Sequence, residues 1–293
     1  MSAFWEQIGS EIANVTGMPF AIRDRRSVGG GSINASYTIA DGERRYFLKL
    51  NQPNQSDMFA AEALGLQQLH QTQAIQVPVP ICWGEAISCS YIVLTHLDLS
   101  GRGTQAAWET MGRQLAAMHR RGTNDRFGWQ RNNTIGSTPQ LNYWGESWAD
   151  FFAEYRIGYQ VKLGRRQGGD FPKPEVAIAA VREFLGDRDP EPSLVHGDLW
   201  SGNAAMTAAG EPVIFDPAAY YGDREVDLAM TEMFGGFPPA FYAGYNAAWC
   251  LDPGYQQRKE IYNLYHILNH FNLFGGGYGH QASRIFDRLL QQI

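Results

Sequence analysis

The most informative segment of the chain is His196-Gly197-Asp198-Leu199-Trp200-Ser201-Gly202-Asn203, which follows the short apolar run Leu194-Val195. It sets an acid and an amide five positions apart, in a polar loop that also contains a tryptophan and two glycines. A second acid, Asp216, ends the apolar run Ile214-Phe215 thirteen residues further on. Both acids therefore follow short predicted strands.

This order of acid, amide and acid matches what kinase-type phosphoryl transfer requires. One carboxylate accepts the proton of the attacking hydroxyl, while the amide oxygen and the other carboxylate hold Mg²⁺, a hard cation that prefers oxygen ligands. The alternative is a structural turn capped by Asp198 and Asn203. A tryptophan and two glycines are unusual in so short a capping turn, which favours the phosphoryl-transfer site.

Lys49 and Glu62 form the second candidate site. Lys49 lies late in the predicted strand Arg45–Leu50, among apolar residues, and Glu62 lies 13 positions later in a predicted helix. A lysine–glutamate pair that steadies nucleotide phosphates fits both positions. The alternatives are a lysine that protects an edge strand and a solvated helix glutamate.

Four residues of a glycine-rich turn, Gly29, Gly30, Gly31 and Ser32, would let backbone amides approach phosphates. The pattern is incomplete, because Asn34 stands where a Gly-x-Gly-x-x-Gly motif has its last glycine. A flexible hairpin turn would explain it equally well.

The pattern of elements predicts an α+β fold with two lobes. Residues 1–97 show an opening helix, a small sheet with an Asp41-Gly42 hairpin turn, and one main helix over Ser56–Gln71. Residues 98–293 are mainly helical. The long segment Gly122–Tyr143 is a candidate binding loop. The helices predicted after residue 98 are Ala106–Arg121, Glu146–Leu163, Glu175–Leu185, Leu228–Phe234, Phe241–Trp249, Gln256–Phe274 and Gln281–Gln292.

Composition limits the possible functions. The formal net charge of −6 disfavours nucleic-acid binding, and no apolar run approaches the length of a membrane span. The N-terminus lacks the basic region of a signal peptide. The three cysteines, Cys82, Cys89 and Cys250, show no metal-binding spacing, so we expect buried structural thiols and a cytoplasmic protein.

The segment His196–Asn203 with Asp216 resembles the fructosamine/ketosamine kinases, within the larger group that has the aminoglycoside-phosphotransferase and protein-kinase-like fold. His-Gly-Asp marks the larger group, and Leu-Trp-Ser-Gly-Asn is more specific to ketosamine kinases. The resemblance spans nearly the whole chain. Further similar segments, in family order, are Gly29–Ser32, Phe47–Lys49, Glu62, Val77–Pro80, Thr134–Gln140, Trp148–Phe152 and Gly222–Ala229.

The resemblance implies ATP-dependent phosphorylation of the 3-hydroxyl of a ketosamine or other glycated amine, after which the product decomposes and frees the amine. It implies Asp198 as catalytic base, and Asn203 and Asp216 as Mg²⁺ ligands. Lys49 would contact the phosphates and Glu62 would orient it. It also implies that Thr95, His96 and Leu97 form the hinge that meets adenine, while Asp227 and His196 brace the catalytic loop.

Two departures from the family pattern matter. Ser32 stands near the position where several relatives have a cysteine that supports redox-linked dimers, so we expect no disulfide-linked dimer through this loop. The protein is expected to be a monomer. Thr95 stands where relatives often have an acid, so the hinge is expected to contact adenine through its backbone and not through an acidic side chain.

The sequence leaves several alternatives open. The chain could phosphorylate another small alcohol, such as an aminoglycoside, choline or a sugar, or it could be a nucleotide-binding pseudokinase. Trp200 could stack on the sugar or pack within the loop. Trp148, Phe151 and Phe152 are expected in the core, and the role of Arg156 is undecided.

Overall fold

The structure is a computed structural model that describes residues 2–29 and 34–292. Its first part is a helix, α1 (Ser2–Thr16), followed by five strands that form one antiparallel sheet in the order β1-β2-β3-β5-β4. The strands are β1 (Asp24–Val28), β2 (Ala35–Ala40), β3 (Arg45–Asn51), β4 (Pro80–Ala86) and β5 (Cys89–Thr95). The Asp41-Gly42 turn joins β2 and β3, as the sequence predicts.

One helix, α2 (Ser56–Gln71), connects β3 to β4 and has the predicted bounds. Phe59, Ala63, Leu66 and Leu69 are buried at helical spacing, and they share an apolar core with Ile92 and Leu94 of β5. This packing holds α2 against the sheet and sets Glu62 beneath β3. The same core continues into the helical part of the chain through residues such as Leu115 and Phe241.

The remainder of the chain is mainly helical. Its helices are α3 (Gln105–Arg121), α4 (Trp148–Phe151), α5 (Tyr159–Arg166), α6 (Pro174–Phe184), α7 (Glu225–Thr231), α8 (Pro239–Ala248), α9 (Tyr255–Phe274) and α10 (Gly277–Leu290). A π-helical segment, Phe152–Gly158, joins α4 to α5, so the predicted helix over 146–163 forms with a widened middle. This mixture of an N-terminal sheet and later helices confirms the predicted α+β class.

Six short strands pair outside the main sheet. The sequence predicts β8 (Ser193–Val195) and β10 (Pro212–Ile214), but not their partners β11 (Tyr220–Gly222) and β9 (Ala204–Met206). It also misses the hairpin of β6 (Asn133–Ile135) and β7 (Thr138–Gln140) inside the segment 122–143. These pairings place the 196–203 loop and Asp216 side by side.

Two other expectations need correction. Helix α7 begins and ends earlier than predicted, because Asp223 Oδ1 accepts the Glu225 N–H near its start and Phe234 adopts a left-handed backbone (φ 51°) after its end. The thiol of Cys82 is buried, but Cys250 is exposed, so buried thiols were the wrong expectation there.

The expected core position of Trp148, Phe151 and Phe152 is confirmed, since all three are buried. Arg156, which was undecided, is also fully buried. It donates to Leu141 O (2.6 Å) and Asn142 Oδ1 (2.7 Å), and its guanidinium lies 4.0 Å from the centre of the Tyr220 ring. Its role in the structure is to hold the segment before α4.

Candidate active site

Lys49 lies between two carboxylates from distant parts of the chain. Its Nζ is 2.6 Å from Glu62 Oε1 on α2 and 2.5 Å from Asp216 Oδ1, which follows β10. The lysine is buried, and burial alone would lower its pKa; the two carboxylates more than offset this and raise it. The Lys49 side chain is therefore charged at neutral pH.

Asp198 and Asn203 contact each other within the loop between β8 and β9. Asn203 Nδ2 donates to Asp198 O (2.8 Å) and to Asp198 Oδ2 (3.2 Å). Burial and the charge of Asp216 raise the pKa of Asp198 to about 7. A carboxyl group with such a pKa is suited to exchange a proton near neutral pH.

His196 joins the two acidic loops. Its Nδ1 accepts from the Asp198 N–H (3.2 Å), so Nε2 carries the proton and donates to Phe215 O (2.9 Å). Burial lowers the pKa of His196, which keeps the ring neutral. The ring is occupied on both sides, and it holds Asp198 next to the residue that precedes Asp216.

Asp227 on α7 supports the same loop from beneath. Its carboxylate accepts from the backbone N–H groups of His196 (2.7 Å) and Gly197 (2.8 Å), and His119 Nε2 lies 3.1 Å away. Burial would raise the pKa of Asp227, but these hydrogen bonds lower it overall. Asp227 thus contacts the loop backbone and not the cleft.

Asp216 has a left-handed backbone, with φ of 57°. This conformation is unfavourable for most residues with a side chain, though less so for aspartate, and strained non-glycine residues cluster at functional sites. The Asp216 side chain stays 48% exposed, so one carboxylate oxygen contacts Lys49 while the group still faces solvent.

A cleft of about 610 Å³ brings these groups together. Five predicted site residues line it: Lys49, Glu62, Asp198, Asn203 and Asp216. A larger groove, of about 1110 Å³, lies between α1 and the β2–β3 hairpin, and none of the predicted site residues lines it. The smaller cleft is therefore the candidate active site.

The other predicted site residues lie outside this cleft or outside the described residues. Gly29 is exposed and does not line the cleft, and Gly30, Gly31 and Ser32 fall outside the described residues. Thr95 exchanges hydrogen bonds with Val79, through its N–H and its Oγ1. Thr95, His96 and Leu97 do not line the cleft. The backbones of His96 and Leu97 make no hydrogen bond with another described residue.

Asn133 and Thr134 of β6 line the cleft, and they belong to the segment 122–143 that the sequence offers as a candidate binding loop. The cleft also contains residues that the sequence does not predict: Phe234 follows α7, and His266, Asn269 and His270 lie on α9. A signal for the last three existed, since positions i, i+3 and i+4 share one helix face and three polar side chains in the mostly apolar second half of α9 need an explanation. Trp200 packs within its loop, since its ring lies over Gly202, where a Cβ would come within 2.3 Å of it, and it also lines the cleft.

The donor set fits Mg²⁺. Asn203 uses Nδ2 for Asp198, which leaves Oδ1 without a hydrogen-bond partner among the described residues, and Asp216 retains its second carboxylate oxygen. Residues 2–29 and 34–292 contain no group of three or more His, Cys, Asp or Glu side chains that could hold a metal ion. Two protein oxygens match an ion that completes its shell with phosphate and water.

Comparison with known proteins identifies the family. The profile of the fructosamine kinase family matches residues 4–292. The chain belongs to the fructosamine kinase family. This fructosamine kinase family member is 58% identical over 287 residues to a Synechocystis protein named as a probable ketoamine kinase, a match that covers 98% of this chain and 97% of that protein. It is 43% identical to the chloroplastic protein-ribulosamine 3-kinase of Arabidopsis thaliana, covering 91% and 82% of the two chains.

Solved structures confirm the fold of this fructosamine kinase family member. A crystal structure from Haemophilus somnus, described provisionally as a fructosamine-3-kinase, has 30% identity and a TM-score of 0.92 over 98% of both chains. The aminoglycoside phosphotransferase APH(4)-Ia, solved with ADP and hygromycin B, is 16% identical with a TM-score of 0.62 over 97% of this chain and 98% of that one. The predicted bilobal, protein-kinase-like fold is therefore confirmed. Within the described residues, no helix has the length and apolarity to cross a membrane.

Proposed function

We propose that this protein is an ATP-dependent ketosamine 3-kinase. The observation that carries the proposal is the convergence of Lys49, Glu62 and Asp216 with Asp198 and Asn203 in one cleft. The names of the two relatives, a ketoamine kinase and a ribulosamine 3-kinase, support the acceptor class. Decomposition of the phosphorylated ketosamine would then free the amine.

In the proposed reaction, the substrate hydroxyl oxygen attacks the γ-phosphorus of ATP, and the bond from phosphorus to the ADP oxygen breaks. Asn203 Nδ2 donates to Asp198 Oδ2, so Asp198 Oδ1 is free to accept the hydroxyl proton. A pKa of about 7 makes the Asp198 carboxylate a stronger base than an ordinary aspartate.

The remaining residues position the nucleotide. Lys49, oriented by Glu62, would bind phosphate oxygens. Mg²⁺ held by Asn203 Oδ1 and Asp216 would neutralise phosphate charge during transfer. The backbones of His96 and Leu97 make no hydrogen bond with another described residue, so their N–H and C=O groups could pair with adenine, which supports a hinge there. The residues Gly29–Ser32 would cover the phosphates.

The test is acceptor turnover by the purified protein with ATP and Mg²⁺. Ribulosyl-lysine, fructosyl-lysine, kanamycin and choline are incubated separately, and mass spectrometry and ADP release are measured. We expect phosphorylation of a ketosamine in preference to the other two. Brisk turnover of kanamycin or choline with no reaction on ketosamines would overturn the acceptor class. No turnover of any acceptor, together with ATP binding, would favour the pseudokinase.

We also propose a division into lobes 1–97 and 98–293, and a cytoplasmic monomer that does not bind nucleic acid. The main sheet ends at Thr95 and the next helix begins at Gln105, which supports the boundary. Three free thiols support a reducing compartment, and the net charge of −6 disfavours nucleic acid. Light scattering during gel filtration tests the monomer, and a mass of about twice 32.8 kDa would contradict it.

A further inference from the structure

Five aromatic rings form a continuous surface at one end of the cleft. We name this surface the aromatic collar; its members are Trp200, Phe234, His270, Phe274 and Tyr278, and all five line the cleft. The Trp200 and Phe234 ring centres are 6.2 Å apart, and those of Phe234 and His270 are 4.9 Å apart. His270 also contacts Phe274 (5.7 Å) and Tyr278 (5.1 Å), so its ring is the centre of the collar.

The backbone turns the collar rings toward the cleft. Phe234 has a φ of 51°, a left-handed conformation that a phenylalanine rarely adopts, and its ring stays 39% exposed. Gly275 and Gly276 both have positive φ, and this turn between α9 and α10 returns Tyr278 onto His270. The Phe274 ring is 64% exposed. The Phe234 and Phe274 side chains are therefore not buried in the hydrophobic core.

The collar carries no formal charge. The acids that line the cleft, Glu62, Asp198 and Asp216, belong to the elements around Lys49 and the catalytic loop. His270 Nδ1 donates to the His266 carbonyl (2.7 Å), and burial lowers the pKa of both histidines. Aromatic ring faces attract alkyl chains and cations, and they offer nothing specific to an anion.

Position assigns the collar to the acceptor side. Trp200 is two residues from Asp198, whereas Lys49 approaches from β3 and the predicted hinge lies outside the cleft lining. A hydroxyl held at Asp198 therefore places the rest of its molecule next to Trp200 and Phe234. The exposed Phe274 leaves the outer end of this path open to solvent.

We propose that the collar binds the amine arm of the acceptor, meaning the cationic nitrogen and the first methylenes attached to it, while the sugar reaches Asp198. This inference rests on the proposed function and deepens it. It makes the arm a determinant of specificity: a ketose linked through nitrogen to a long aliphatic chain is preferred to the same ketose without the chain.

The test compares two acceptors and three variants. The acceptors are ribulosyl-lysine linked through its side-chain nitrogen, which has the arm, and ribulose, which has neither the nitrogen nor the chain. The variants are Phe274→Ala, Phe234→Leu and the matched control Trp83→Ala, an aromatic residue 38% exposed on β4 outside the cleft. For Phe274→Ala we expect kcat/KM on ribulosyl-lysine to fall by about 3- to 30-fold.

The control variant and the measurements with ribulose distinguish the possible outcomes. In Phe274→Ala, turnover of ribulose and the KM for ATP should change by less than about twofold, as expected of a surface change. Phe234→Leu should lower turnover of ribulosyl-lysine more than that of ribulose. Equal losses on both acceptors, or no loss in either collar variant, would overturn the inference and leave the kinase intact. A wild-type protein that phosphorylates neither acceptor would instead overturn the proposed function.

Discussion

Replacing Asp198 with asparagine should stabilise the protein while it removes the activity. Burial and the nearby Asp216 raise the pKa of Asp198 from 3.8 to about 7. A difference of about three pH units between the folded and unfolded pKa values corresponds to roughly 4 kcal/mol of lost stability at high pH. Because the Asp198 side chain is partly exposed to the cleft, solvent screening reduces this to about 1–3 kcal/mol.

The sign of the pH dependence follows from the direction of the shift. A carboxyl group whose folded pKa is raised binds its proton more tightly in the folded protein, so stability falls as the pH rises from 3.8 and the loss is complete above about 7. The asparagine side chain of the Asp198→Asn variant has no such proton to lose. The difference in melting temperature between variant and wild type should therefore be near zero at pH 4 and grow to about 2–8 °C at pH 8.

Thermal unfolding without Mg²⁺ or nucleotide measures this difference across pH 4 to 8. Asp125→Asn, a change at an exposed acid outside the cleft, is the matched control and should show no such pH dependence. Turnover of Asp198→Asn should fall by roughly 10²–10⁴, the contribution of a general base. Equal melting temperatures at pH 8 would refute the raised pKa, and full activity would refute the role of Asp198 as base.

Two further changes test the supporting groups. Lys49→Met leaves Glu62 buried without its cation, so the free energy of unfolding in urea should fall by about 3–5 kcal/mol. The double variant with Glu62→Gln should recover part of that loss. An unchanged urea midpoint in Lys49→Met would contradict a buried ion pair. Asp227→Asn replaces one acceptor of a loop N–H by a donor, so stability should fall by about 1–3 kcal/mol and kcat should fall more than the KM for ATP changes. A rise in KM alone would contradict a role in positioning the loop.

The parts of the structure that the sequence predicts are those with local signals. Helix α2 has its apolar residues at helical spacing, and its bounds agree with the prediction. The spacing of Lys49 and Glu62 needs only one strand and one helix to bring them together, and their atoms lie 2.6 Å apart. The loop from His196 to Asn203 likewise contains its own acid–amide contact.

The parts that the sequence does not predict depend on distant residues. The contact of Lys49 with Asp216 joins positions 167 residues apart. The three-residue strands β9 and β11 exist only through pairing with β10 and β8, and such short segments have no periodicity of their own. The collar is not predictable for the same reason, since Phe234 follows α7, His270 lies on α9 and Tyr278 on α10, and their rings meet only in the folded protein.

The active-site cleft gathers features that each oppose local stability. Asp198 is a carboxyl with a raised pKa, and Asp216 is a non-glycine residue with a positive φ, whereas the buried Lys49 cation is stabilised by Glu62 and Asp216. Elsewhere in the described part of the chain, positive φ at Gln73 and Ile87 is accounted for by the turn after α2 and the turn of the β4–β5 hairpin. Core packing does not compensate for the two aspartates, because both line the open cleft. Groups that weaken the protein in this way are best explained by a ligand that relieves them: a hydroxyl proton for Asp198 and a metal ion for Asp216.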